Sequence, residues 1–151
     1  MTFRSWLDGM QIAKALDSVT VRHAQMPFKA IKDQYKKIQA QATEAHHFAL
    51  LEIKRRVAER ILHAALDKKL PVPVCLQYRK QLAELGYTDT FLEFESEIIF
   101  CRYLIRVGAK STALQILKKL RRRSPAGPDL SKEEISKMKS IVRDLIDECR
   151  S

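Results

Sequence analysis

Apolar residues along this chain recur every three or four positions rather than every two, a spacing that predicts helices almost throughout. Trp6, Met10, Ala13 and Leu16, with Leu7 and Ile12 beside them, predict an amphipathic helix over residues 3–17 in spite of Gly9. Val19-Thr20-Val21 follows no clear pattern. Met26-Pro27 breaks the stripe, and the proline can open the next helix because a first-turn residue gives up no hydrogen bond.

Phe28, Ile31, Tyr35, Ile38, Ala42, Ala45 and Ala49 then alternate spacings of three and four, the seam of a helix lying lengthwise on a partner helix. The run drifts on through Leu50, Ile53, Val57, Ile61 and Ala65. Unbroken to Lys69, it would make a helix of about 42 residues and about 63 Å, longer than a compact domain of this size can bury. It either protrudes as one helix or bends into two between Gln39 and His47, where the seam shrinks to alanine and polar residues. A narrow, alanine-rich seam does not stand alone, so association through residues 28–69, as a homo-oligomer or a hetero-complex, is expected.

Leu70-Pro71-Val72-Pro73 reads as an extended linker, since each proline disfavours helix at the residue before it. Residues 73–85 then start on a proline and end at Gly86, a left-handed cap. Thr90 with Glu93 makes a capping box for a helix that ends at Gly108, and residues 110–123 form another, stopped by Ser124-Pro125-Ala126-Gly127-Pro128. Ser131 and Glu134 supply a second capping box, with Leu130 and Ile135 as its hydrophobic staple. Ile135, Met138, Val142, Leu145 and Cys149 give the last helix one apolar stripe. The expected fold is all-α: a long N-terminal helical arm, residues 1–70, followed by a C-terminal array of short antiparallel helices, residues 71–151.

Composition agrees with this reading. With 46% apolar and 30% charged residues the chain can build a core under a solvated surface, and 4 Gly with 5 Pro are too few for a turn-rich β protein. No apolar run approaches the ~18 residues of a membrane span, and Asp8 and Asp17 interrupt the early apolar pattern, unlike a secretory signal. Cys75, Cys101 and Cys149 fit neither a disulfide framework nor zinc spacing, so reduced thiols and a cytoplasmic location are expected.

Charge changes the picture more. The net charge is +10, and residues 108–125 alone carry six basic and no acidic residues. Two dense clusters, Lys54-Arg55-Arg56 with Arg60, and Lys118-Lys119 with Arg121-Arg122-Arg123, are candidates for anion or nucleic-acid binding. The second cluster ends a helix, where cations also relieve the helix dipole. No aromatic residues interleave with either, which disfavours stacking on single strands. The stretch from Phe94 to about Gly127 can also be threaded as a helix-turn-helix, with Gly108 in the turn, residues 110–123 as the recognition helix and Ser111, Thr112, Gln115 and Lys118 facing a groove. Leu104 and the acidic preceding helix, with Glu93, Glu95 and Glu97, rank that reading second.

Catalytic signals are sparse. Glu44 and His47 share one Glu-x-x-His spacing, but a di-iron bundle needs two such motifs and two further glutamates. There is no Gly-rich phosphate loop and no Gly-x-Ser-x-Gly elbow. No metal or cofactor is expected, and an enzyme is the least favoured class.

Phe94 to Gly127, with Gly108 at a turn, Ala113-Leu114 as a small-then-apolar pair, Pro125 at the close and Phe100, Cys101 and Leu104 on the first helix, resembles one tetratricopeptide repeat, a helical hairpin of about 34 residues. Glu97, Lys110, Leu120 and Arg121 depart from the family pattern. The resemblance implies a groove lined by the first helix, with Ile98, Arg102, Ile105 and Arg106 toward a protein partner, and a non-enzymatic adaptor, scaffold or chaperone-like subunit. Arg102 and Arg106 lie one helical turn apart and can clamp a carboxylate, so the expected partner is acidic.

Overall fold

The computed structural model describes residues 3–45, 47–87, 90–127 and 130–151, with side chains from residue 10 onward. The side chains of Trp6 and Leu7 in the first apolar stripe, and the whole of Pro128, therefore lie outside what is described. The described residues form helices and no strand: α1 (Phe3–Thr20), a 3-10 turn (His23–Gln25), α2 (Phe28–Glu44), α3 (Leu50–Asp67), α4 (Val72–Leu85), α5 (Thr90–Arg106), α6 (Lys110–Arg121) and α7 (Lys132–Arg150). The chain is all-α, and it divides into two compact units, Met1–Gly86 and Tyr87–Ser151. None of the described helices is long and apolar enough to cross a membrane.

In the first unit, the run from residue 28 to 69 is two helices, and it folds back instead of protruding as an arm. α2 and α3 pack on each other. Between them the His47 Nδ1 accepts the Ala49 N–H at 3.0 Å, giving the start of α3 a side-chain partner. The seam is consumed internally: Ile31, Tyr35, Ile38 and Ala42 share one core with Ile53, Val57 and Ile61 of α3 and Leu16 and Val19 of α1. The apolar face that a protruding helix would offer to a partner is therefore buried within the unit, and nothing in the structure supports association through this seam. Burial of Val19 beside Leu16 also carries α1 past residue 17.

A polar chain runs through this core. The Thr20 hydroxyl donates to the Leu16 carbonyl at 3.0 Å, and its oxygen lies 2.7 Å from the fully buried Tyr35 hydroxyl, which lies 2.6 Å from His23 Nε2. With the Thr20 proton committed to Leu16, Tyr35 must donate to Thr20 and His23 Nε2–H to Tyr35. The hydroxyls of Thr20 and Tyr35 are thus both satisfied.

The prolines do not separate the units. Lys69, at φ +56°, closes α3 in the left-handed region while Leu70 N–H reaches Ala65 O at 3.1 Å. Pro71 then caps α4 and Pro73 sits in its first turn. Four residues between α3 and α4 leave no room for a linker, and α4 packs along α3. The boundary accordingly falls at Gly86, at φ +81°, rather than at residue 70.

The second unit is α5, α6 and α7, each packed on the other two. At the α5–α6 turn Gly108, at φ +86°, lets Ala109 N–H reach Leu104 O at 2.7 Å, the Schellman closure. The small residues Cys101 and Ala113 bring the helices close, with Cys101 Sγ 3.8 Å from Ala113 O. Ser131 caps α7 by accepting Glu134 N–H at 3.1 Å. Phe94, Phe100 and Leu104, Leu117 and Leu120, and Val142 and Ile146 are among its buried residues from the three helices.

Candidate functional site

α5 buries most of its circumference, including Phe94, Glu97, Ile98, Cys101 and Leu104. What it leaves exposed is a stripe with helical spacing, Leu92, Glu95, Ile99, Arg102 and Arg106. Of the four residues expected toward a partner, Arg102 and Arg106 are exposed and Ile105 is half-buried. Ile98 is a correction: it is 5% exposed and belongs to the core, whereas its neighbour Ile99, at 37%, is the apolar residue beside the arginines. The implied register is off by one position, about 100° around the helix. Neither Arg102 nor Arg106 has an ion pair among the described residues. Val107, 47% exposed, extends the apolar surface at the end of the helix.

The first basic cluster is not one patch. Consecutive helical positions point ~100° apart, and the arginines of α3 reach different parts of the unit, although Arg55 and Arg56 share Glu52. Arg60 Nη1 donates to Thr20 Oγ1 at 2.8 Å and Nη2 to Asp17 at 2.9 Å, fastening α3 to α1. Arg55 Nε donates to the Leu85 carbonyl at 3.2 Å, taking up an orphan acceptor at the end of α4. Arg56 pairs with Glu52 one turn back at 3.4 Å. Lys54 lies in a separate shallow pocket beside Glu84 and Tyr78. Three of these four cations have intramolecular work.

The second cluster lies differently. Arg121, Arg122 and Arg123, at and just beyond the end of α6, form one wall of a groove of about 600 Å³. Its other wall is α7, which contributes Lys132, Ser136, Lys139 and Arg143. These recur at spacings of four, three and four, so they form one straight stripe on the helix. Six cations line the groove and, among the described residues, no carboxylate does. Arg123 is held by Glu93. The other five have no ion pair among the described residues. Lys118 and Lys119 are exposed on α6 but do not line it. Lys132, Lys139 and Arg143 escape a reading by charge density because residues 126–151 balance five basic against six acidic residues; periodicity alone reveals them.

No family model matches the chain, and no curated protein or solved structure is significantly similar to it. Function therefore rests on these surfaces.

Other chemistry is thin. Among the described residues no three of His, Cys, Asp and Glu gather as metal ligands. All three cysteines are free, Cys75 and Cys101 buried. Burial, reinforced by Glu148 and opposed by Lys110, holds the Cys149 thiol above its ordinary range, which disfavours the nucleophilic thiolate.

Proposed function

We propose that the chain is a non-enzymatic binding module, an adaptor or scaffold subunit, whose α5 face seats an acidic helix of a partner protein. One observation carries the reading: Arg102 and Arg106, one helical turn apart and unpaired among the described residues, follow exposed Ile99 on one stripe, with Leu92 two turns before it. Two guanidinium groups at that spacing match carboxylates one turn apart on a facing helix, and the apolar residues supply the desolvated contacts that give an interface most of its affinity. The tetratricopeptide resemblance supports the same helix as the partner-facing one. Three free thiols suit a reducing compartment such as the cytoplasm.

The test uses a synthetic amphipathic helix with paired glutamates and leucines, titrated onto the full chain by fluorescence anisotropy. The double change Arg102→Ala/Arg106→Ala should weaken binding ~10-fold or more without loss of helicity. Ile99→Asp should do the same, while Lys132→Ala/Lys139→Ala should not. Equal weakening by all three variants would show diffuse electrostatics instead of a site.

A second reading, a basic nucleic-acid-binding protein that inserts α6 as a recognition helix, is supported by the exposure of Ser111, Gln115 and Lys118 along one side of α6; Thr112 is half-buried. It requires a strong preference for one duplex sequence.

A further inference from the structure

The α6–α7 groove needs an explanation that neither the α5 face nor a recognition helix provides. Helix electrostatics account for part of it, because Arg121 sits in the last turn of α6, where a cation is favoured. They do not account for Lys132, which opens α7 at the positive end of the helix dipole. Nor do they account for Lys139 and Arg143, like charges one turn apart that repel each other. Three cations of α7 with no ion pair among the described residues are thus held beside the arginines of α6 against local electrostatics, so an anion in the groove would relieve their repulsion.

The lining also says which anion. Its apolar members offer little surface: Val142 and Phe94 are each 1% exposed, so an apolar partner would bury almost nothing on them. No exposed aromatic lines it, so bases have nothing to stack on. Arginine guanidinium forks and the Ser124 and Ser136 hydroxyls are donors suited to phosphate oxygens. Along α7 the cations from Lys132 to Arg143 span about 16 Å at 1.5 Å per residue, and a duplex presents one charge per ~1.7 Å of axis.

We propose that this groove is a phosphate clamp for the backbone of double-stranded nucleic acid, gripping it without reading its sequence. The clamp acts independently of the α5 face and of any partner held there. Ser131, by capping α7, and the Phe91 N–H to Ala126 carbonyl bond, by tying the segment after α6 back to α5, hold the two walls in place.

The experiment is titration of the full chain with a labelled 20-base-pair duplex of random sequence over a range of salt. With four to five phosphates neutralised, log Kd against log salt should have a slope of magnitude about 4, so affinity falls about 10²-fold between 50 and 200 mM salt. Lys132→Ala/Lys139→Ala/Arg143→Ala should cut that slope to about 1–1.5 and leave helicity intact, since all three side chains are exposed. Lys29→Ala/Lys37→Ala/Lys80→Ala removes the same charge from exposed positions of the first unit and should leave the slope nearly unchanged. Equal losses from both triple variants would overturn the clamp in favour of bulk charge. Binding of the corresponding single strand, or of polyglutamate, as tightly as the duplex would overturn the assignment of the ligand. A ~10³-fold preference for one duplex sequence would overturn sequence-blind gripping and move recognition to α6.

Discussion

The two units carry comparable densities of basic residues and use them in opposite ways. In the first, the arginines of α3 are fasteners: Arg60 joins α3 to α1 through Thr20 and Asp17, and Arg55 closes the end of α4. In the second, α6 and α7 bring five cations around a groove with no ion pair among the described residues. A basic residue that has found an acceptor in its own chain contributes to stability, and one held away from every carboxylate is left for something outside the chain. Charge density in the sequence does not separate these cases; the partners of each guanidinium do.

The sharpest way to break this comparison is to delete one cation from each side and read stability locally, by hydrogen exchange on the full chain. Arg60→Ala should weaken protection of α1 and α3 by ~1–2 kcal/mol, mostly through the Thr20 contact, because Asp17 is 70% exposed and its ion pair is screened. Arg143→Ala should cost nothing measurable in α7. A similar loss from both would place the α7 cations among the structural ones.

Next in size is the turn at Lys69. The second unit closes its α5–α6 turn with Gly108, where left-handed backbone is unstrained, whereas the first unit closes α3 with a lysine at φ +56°. Lys69→Gly should therefore raise stability, by ~0.5–1 kcal/mol after the added freedom of the unfolded chain is subtracted, seen as a higher denaturant midpoint.

A smaller effect follows pH. Burial lowers the His23 pKa below its usual 6.5, with Lys68 and Arg60 adding to the shift and Asp67 opposing it. The unfolded chain then binds a proton more readily than the folded one, so the contribution is complete above about pH 6.5 and is lost as pH falls toward the folded pKa. Chemical denaturation at pH 7.5 and 5.5 should show the loss, and His23→Gln should remove most of the dependence. The smallest effect belongs to the groove: Lys139→Ala should stabilise α7 by ~0.2–0.5 kcal/mol at low salt, and the gain should vanish as salt screens the repulsion from Arg143.

Local signals carried most of the helix boundaries. Pro27, Gly86, Gly108 and the Ser131–Glu134 box mark helix ends because each acts within one turn of itself. What failed to show was whatever depends on distant neighbours. Whether the run from Phe28 to Lys69 bends could not be read because no glycine or proline lies in it; the seam ends at Ala42, and tertiary packing of α2 on α3 decides. The prolines at 71 and 73 look like a linker and serve as a helix start, since a proline's local preference is the same in both. The α5 face was legible in its arginines and misplaced by one residue in its isoleucine, as happens when a helix buries most of its circumference and its narrow exposed stripe gives a weak periodic signal. Half of the groove was legible as charge density, and its α7 half was hidden among interleaved acids.

The order of packing within each unit has a kinetic consequence. α1 packs on α2, α2 on α3 and α3 on α4; in the second unit α5 packs on α6 and α6 on α7, with α5 and α7 the only pair there that skips a neighbour. Each helix meets its partner across a connection of at most ten residues, so little chain entropy is lost before contacts begin to form. Such local topology belongs with the fast-folding helical proteins, which reach the native state in microseconds to milliseconds. On the ribosome, where residues emerge at ~5–20 per second, each hairpin has time to close before the next helix appears, and the apolar seam of α2 is covered almost as soon as α3 leaves the exit.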